Sequence, residues 1–491
     1  MKSHYFKTKL LKMGKWALLP ADVENWMTEE TSDYFRRLFG LPKGLLHICT
    51  LDDGYEHVYV PISYIKKLHA FITETTRSER TKLEQVLRTF YSFKRLARKN
   101  LTHRASFARM STQKLISLYR ANRHWAHRAT VYDQFGWLGE DYWTPLMEKI
   151  LVRRCGTPKD SPEYYRVLFT FIKPEEISTT LEEKRAVLDA ALSVKARKES
   201  LANAARTLAR AYGWMPVFTF GEPWDEGHYA QEIRTLQKRK TEKLQIEYDE
   251  LVSYREKRNT DIAECVRRYD ITKRDLQTFI DFGLALDTRN EAEYIVSYAG
   301  FYLLPIYREI ARRLGLSVKQ LRTLYEDEIV SALKGTLDPQ EALRKKGTII
   351  AWGFDRAMKK RKNFSEKESQ ALFEHIESYV KPIQGSDESR GVCGSPGSAT
   401  GTARIVKSPS ENGKVKKGDI LVTYATTVDY LPAMKRASAF ITEVGGLTCH
   451  AAVVAREFGV PCIVGLKNAM TAIQDGARVE VIAEKGIVKI A

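Results

Sequence analysis

The chain has 491 residues, is 43% hydrophobic and 11% aromatic, and carries a formal charge of +18. The length suggests roughly three domains, the apolar and aromatic content excludes a disordered chain, and no apolar run approaches the ~20 residues that a membrane-crossing helix needs. From Gly385 onward 13 Lys and Arg face 10 Asp and Glu, a net of +3, so the remaining +15 lies ahead of that point.

The first residues, with Lys2, Lys7, Lys9, Lys12 and Lys15 but no continuous apolar core, do not read as a signal peptide. Leu45 to Ser63 reads as a short hairpin around Asp53-Gly54. Helical periodicity follows over Ser78 to Lys99, Ser111 to Phe135 and Leu181 to Tyr212. In the second of these, His124, Trp125, His127, Tyr132, Asp133, Phe135 and Trp137 form an aromatic and polar cluster. Trp214 precedes a second such string, Phe218-Thr219-Phe220-Gly221-Glu222-Pro223-Trp224-Asp225. Each can line an acceptor pocket, with His124, His127, Trp214 and Trp224 as substrate-binding candidates, and each can equally be core packing followed by an N-cap at Asp225. His124 and His127 lack a third ligand at suitable spacing, so no metal site is assigned.

From Gln237 to Arg258 Lys and Arg alternate with Glu and Asp, the pattern of a solvated helix face. The basic body could serve nucleic acid or an acidic partner, but no zinc-finger, RNP or helix-turn-helix pattern accompanies the charge. Asn290 with Glu293 is expected to cap a helix that kinks at Pro305 and closes at Gly315. Ser317 with Gln320, Asp338-Pro339 with Glu341, and Ser365 with Glu368 are expected to start three more. A hinge is expected between Pro382 and Pro396, where Gly385, Ser386, Asp387, Ser389 and Gly391 break the periodicity.

The last part changes character. Ala403 to Lys407, Asp419 to Thr423, Ser438 to Thr442, Cys462 to Gly465 and the hairpin-like Arg478 to Ile490 read as short strands between glycine turns. Within it, Gly445 and Gly446 precede Thr448-Cys449-His450 and a short amphipathic helix with apolar Ala451, Val454, Ala455 and Phe458, ended by Gly459 and Pro461. Unpaired N–H groups and the positive end of the dipole make such a helix start an anion site. An imidazole there is a neutral nucleophile near pH 7, with the Thr448 hydroxyl placed to donate to a phosphate oxygen. Cys449 reads as a small side chain shaping the turn, and the six cysteines, without a C-x-x-C pair, as reduced thiols of a cytoplasmic protein.

The run Gly445 to Pro461 resembles the phosphohistidine signature of the PEP-utilising enzymes. Gly394-Ser395-Pro396-Gly397, Gly401 to Val406, Lys417 to Val422 and Thr426-Thr427-Val428-Asp429-Tyr430-Leu431-Pro432 resemble the same family's mobile domain, the last as a loop that crosses near the histidine. Tyr307 to Leu333 resembles the helical segment ahead of that domain in rifampicin-phosphotransferase-like proteins. The resemblance implies a largely helical body followed by a C-terminal swivelling β/β/α phosphohistidine domain. The expected parts are residues 1–250 as an acceptor-binding region, 251–384 as a helical region leading to the hinge, and 385–491 as the mobile domain. It also implies His450 as phosphoryl carrier, with Gly445, Gly446, Thr448 and Cys449 supporting. No ATP-grasp or P-loop pattern is found in residues 1–384. The phosphoryl group is therefore expected to come from an ATP (or PEP) site on a partner chain, with ATP and Mg²⁺ on a separately encoded ATP-grasp protein, and to pass to a small-molecule acceptor in the helical body. The alternative is a non-catalytic scaffold that retains the mobile domain and holds nucleic acid or protein on its basic body.

Overall fold

The computed structural model describes the chain except at residues 1–9, 18–33, 35–36, 40–45, 51–54, 79, 102–106, 157, 159–160, 219–220, 355–360, 380–389 and 491. In chain order the first elements are β1 Leu10–Ala17, β2 Leu46–Thr50, β3 Tyr55–Pro61, α1 Ile62–Ser78, α2 Arg80–Asn100 and α3 Thr112–Cys155. Next come α4 Pro162–Phe171, α5 Thr179–Lys195, α6 Leu201–Tyr212, α7 Glu226–Gln237, α8 Thr241–Val252, α9 Tyr254–Arg268 and α10 Lys273–Leu314. They are followed by α11 Val318–Thr323, α12 Glu326–Leu333, α13 Pro339–Arg344, β4 Ile349–Phe354, β5 Arg361–Asn363 and α14 Glu366–Tyr379. The C-terminal part holds β6 Val392–Ser395, β7 Ser398–Ile405, β8 Ile420–Thr423, α15 Leu431–Met434, β9 Ala439–Thr442, α16 His450–Phe458, β10 Cys462–Val464, α17 Ala469–Ala472, β11 Arg478–Ile482 and β12 Ile487–Ile490. A largely helical body thus precedes a sheet module, and among the described residues no helix is long and apolar enough to cross a membrane.

Contacts divide the chain into two compact units, one made of residues 1–139 and 298–387, the other of 140–297 and 388–491. The first unit contains an antiparallel sheet in the order β1-β3-β2-β4-β5. The expected hairpin is β2–β3, its Asp53-Gly54 turn lying outside the described residues. Strands β1, β4 and β5 fall where sequence periodicity gave no strand. Helix α14 lays Leu372 and Ile376 against Tyr59, Ala351 and Phe364, and Ser369 Oγ accepts the Ala351 N–H at 3.0 Å. A second core joins Leu115 and Tyr119 to Leu303, Ile306, Ile310, Leu321 and Ile329.

The caps at Ser317, Asp338 and Ser365 form as expected: Ser317 and Gln320 close a reciprocal capping box, the Asp338 carboxylate accepts from Gln340 N, and Ser365 Oγ accepts from Glu368 N. The cap at Asn290 does not. Helix α10 runs unbroken from Lys273 to Leu314, and buried Leu284, Ala285 and Leu286 extend its apolar face upstream of Asn290. It starts instead at Thr272, whose hydroxyl accepts the Asp275 N–H at 3.1 Å and donates to the Asp275 carboxylate at 2.8 Å. At the other end Gly315, with φ of +64°, lets Leu316 N–H reach back to Ala311 O.

The second unit carries a seven-stranded sheet in the order β12-β11-β7-β8-β9-β10-β6. Strands β7 to β10 are parallel, β6 and β11 flank them antiparallel, and β11–β12 is the expected hairpin. Strands β8 to β10 are buried on both faces, which is why Ile420-Leu421-Val422, Ala439-Phe440-Ile441 and Cys462-Ile463-Val464 are uninterrupted apolar runs. Residues 382–389 of the expected hinge lie outside the described residues, and from Val392 the chain is already strand β6.

Candidate functional site

Strand β9 ends at Thr442 and the chain turns through Gly445, whose φ of +118° is open to glycine alone. A Cβ on Gly445 would also lie 2.8 Å from Cys449 Sγ, so the turn closes too tightly for any side chain. Cys449 is the N-cap residue of α16 and His450 its first residue. Gly459, with φ of +67°, ends the helix. Buried Ala451, Val454 and Ala455 seat the helix on the sheet, so the backbone holds the imidazole at the helix start rather than on a free loop.

His450 is 4% exposed. Its Nδ1 lies 3.1 Å from Thr426 Oγ1, on the loop that resemblance places near the histidine. Its Nε2 is buried without a hydrogen-bond partner among the described residues. A proton on Nε2 would be an orphaned buried donor, whereas a proton on Nδ1 is received by Thr426; the second tautomer leaves the Nε2 lone pair free. Burial, reinforced by the nearby positive charge of Arg289, lowers the imidazole pKa to about 3. The side chain is therefore neutral at physiological pH and nucleophilic at Nε2. Burial pushes the Cys449 thiol up, so it stays protonated and is no rival nucleophile near neutral pH.

Thr448, 2% exposed, binds two groups from the helical part of the same unit. Arg289 Nη1 of α10 donates to Thr448 Oγ1 at 2.5 Å. The Thr448 hydroxyl in turn donates to the Glu140 carboxylate of α3, and its N–H points at Glu140 Oε1 across 3.4 Å. Arg289 and Glu140 form an ion pair at 3.5 Å. Glu140 lies so close to the turn that a Cβ on Gly446 would fall 2.3 Å from Oε1. A carboxylate and a guanidinium thus meet at the start of α16, where the peptide dipole favours negative charge.

The same two parts meet again at Lys435, just after α15. Its ammonium contacts Glu183 of α5 at 2.8 Å and Glu232 of α7 at 3.1 Å, 4.3 Å above the Trp224 ring. Trp224 stacks on His228 with centroids 4.5 Å apart. Burial pushes the Glu183 carboxyl up, with Lys435 pulling it back only in part. Burial alone would lower Lys435, but the two carboxylates outweigh it and hold the ammonium above its ordinary value.

The structure thus brings His450, Gly445, Gly446, Thr448 and Cys449 together at one helix start. Trp214 lies in the same unit, buried, donating from Nε1 to Ala211 O at 2.7 Å and packing edge-on against Tyr294. Trp224 faces Lys435, and the carboxylate of Asp225 accepts from His228 N as the expected N-cap. His124 and His127 belong to the other unit, on α3, where His124 packs edge-on against Trp125 and His127 is buried. Arg289 and Glu140 were not identified from sequence. They lie 159 and 308 residues from Thr448 and belong to no local pattern.

Comparison with known proteins agrees with the geometry. Residues 415–486 match the family model of the PEP-utilising enzyme, mobile domain. A probable phosphoenolpyruvate synthase of Archaeoglobus fulgidus is 54% identical over 99 residues, 20% of this chain and 13% of the relative. The phosphoenolpyruvate synthase of Pyrococcus furiosus is 48% identical over 99 residues, 20% of this chain and 12% of the relative. A probable phosphoenolpyruvate synthase of Pyrococcus horikoshii is 39% identical over 140 residues, 28% of this chain and 17% of the relative. The C-terminal region therefore carries a mobile domain of the PEP-utilising type, while the matches span only a small part of those relatives' length.

Proposed function

We propose that this chain is a phosphotransferase component of the PEP synthase and dikinase type, in which His450 carries a phosphoryl group from a nucleotide site on a partner chain to an acceptor held by the helical body. The observation that carries the reading is the His450 imidazole itself: neutral, tied at Nδ1 to Thr426, and free at Nε2 at the start of α16. In the loading step Nε2 attacks phosphorus, an Nε2–P bond forms, and the P–O bond of the donor breaks with its electron pair on the leaving oxygen. In the delivery step the acceptor oxygen forms the new P–O bond, the Nε2–P pair returns to the imidazole, and the acceptor's proton passes to solvent or a neighbouring base. The α16 N-terminus, the Thr448 hydroxyl and Arg289 act on the phosphoryl oxygens, with positive charge and donors fixed before the group arrives. The donor on the partner is ATP with Mg²⁺: Nε2 attacks the β-phosphorus, AMP leaves with the electron pair of the bridging P–O bond, and water then cleaves the β–γ bond, releasing phosphate and leaving one phosphoryl group on Nε2.

Incubation with ATP and a separately encoded ATP-grasp partner tests this. The expected product is an acid-labile, base-stable phosphoprotein whose label disappears in His450→Ala. A label that persists in that variant, or that maps to another residue, refutes the assignment. Salt-sensitive nucleic-acid binding that survives His450→Ala, with no labelling by any such partner, would establish the scaffold reading instead.

A further inference from the structure

The contacts at the start of α16 contain a charge that an empty anion site would lack. Glu140 brings a carboxylate to the turn from another element, with Oε1 facing the Thr448 N–H and Oε2 on the Thr448 hydroxyl. Arg289 sits on the same hydroxyl and pairs with the same carboxylate. Gly446 leaves the space that Oε1 occupies. A backbone N–H, a hydroxyl and a guanidinium converging on two anionic oxygens form the coordination of a bound phosphate. The first residue of the same helix is His450, whose buried Nε2 has no hydrogen-bond partner among the described residues. We infer that Glu140 is an internal stand-in for a phosphoryl group, holding the oxyanion seat while His450 is unphosphorylated and leaving it when a phosphoryl group arrives.

Two anionic groups cannot share one seat at contact distance, since their repulsion is uncompensated once Arg289 and the Thr448 donors serve one of them. Glu140 therefore opposes anion binding at His450, and its withdrawal transfers Arg289 and Thr448 to the incoming oxygens. The seat is suited to a tetrahedral oxyanion, whether the covalent phosphoryl group or free orthophosphate. The inference uses the carrier reading only to identify the covalent form; the seat itself stands on the contacts.

The test uses the full chain and two probes. Orthophosphate binding is measured by calorimetry on the wild type, Glu140→Gln and Glu140→Ala, with circular dichroism melts to confirm folding. Glu140→Gln keeps the shape and loses the charge; Glu140→Ala empties the seat. Both should bind orthophosphate about tenfold more tightly or better than the wild type, the scale expected on removing one adjacent like charge. Affinities within about twofold of the wild type in both folded variants overturn the inference, because a factor of two is too small for a contact charge. The second probe is phosphoramidate, from which Nε2 takes the phosphoryl group as ammonia leaves. Both variants should load faster than the wild type, and the label should map to His450. Tighter orthophosphate binding without any label at His450 would leave the seat standing and sink the carrier reading. Labelling at His450 with unchanged phosphate affinity and loading rate would do the reverse.

Discussion

Replacing Lys435 with methionine probes the contact that joins the sheet module to helices α5 and α7. The substitution keeps most of the aliphatic stem and removes the ammonium that serves Glu183 and Glu232 and lies over Trp224. Glu183 is 2% exposed, so its carboxylate has no route to water in place of the lost partner. Breaking a buried ion pair by removing one partner costs about 3–5 kcal/mol. Glu232, at 27% exposure, can rehydrate, which puts the expected loss near the lower limit, about 3 kcal/mol at pH 7. The loss should depend on pH. Without Lys435, burial leaves the Glu183 carboxyl raised in the folded state, so the folded protein binds a proton that the unfolded chain releases. Stability from such a group is present below the unfolded carboxylate value and falls as pH rises toward the folded one, so the variant should be less impaired at pH 5 than at pH 8. Urea denaturation at both pH values measures the size, and hydrogen exchange of the amides of residues 431–436 and of α5 locates it. Adding Glu183→Gln should restore most of the loss by removing the orphaned charge. A single variant within about 0.5 kcal/mol of the wild type at both pH values, the range of an ordinary surface substitution, would refute the reasoning.

Thr426→Val removes the partner of Nδ1 and the preference for the tautomer that frees Nε2; phosphoramidate labelling of His450 should slow by about tenfold, the kinetic equivalent of one hydrogen bond, while Thr426→Ser labels normally. Burial, with the like charge of Glu291, pushes the Glu457 carboxyl up to about 7 against the opposing pull of the Ser178 and Thr180 hydroxyls. Its stabilising protonated form is present below the unfolded carboxylate value and is lost as pH rises through 7, so Glu457→Gln should stabilise by about 2 kcal/mol at pH 8 and change little at pH 4, read from denaturation midpoints. Gly486→Ala should destabilise by more than about 1 kcal/mol, since φ is +63° and the new Cβ would meet Gly391 O at 2.1 Å; an unchanged unfolding midpoint would contradict the close approach of the β11–β12 turn to Gly391 ahead of β6.

The C-terminal module was legible because its information is local. Apolar runs mark the buried parallel strands, and Gly445 and Gly459, ahead of and behind the histidine helix, both sit where the backbone needs a positive φ. The caps at Ser317, Asp338 and Ser365 were legible for the same reason: each is decided within four residues. Asn290 misled because its side chain suits a helix start, while the buried residues on both sides of it continue the helix through tertiary contact. Strand β1 carries little alternation and shifts register between Lys12 and Gly14, and β4 pairs with β2 across some 300 residues of chain. Arg289 and Glu140 escaped notice for an equivalent reason: the histidine motif specifies its own turn and says nothing of what will face it.

Both compact units are discontinuous in sequence, and this has a consequence for how the protein is made. Residues 140–297 leave the ribosome well before residues 388–491, and residues 298–387 are synthesised between them. Until the sheet module emerges, Glu183 and Trp224 lack Lys435. Strand β2 likewise waits for β4. Closing such long loops is slow, and the half-built surfaces are adhesive in the interval. A nascent chain halted before residue 388 should therefore recruit chaperones through helices α5 and α7, and release from them should coincide with synthesis of the segment that carries the histidine.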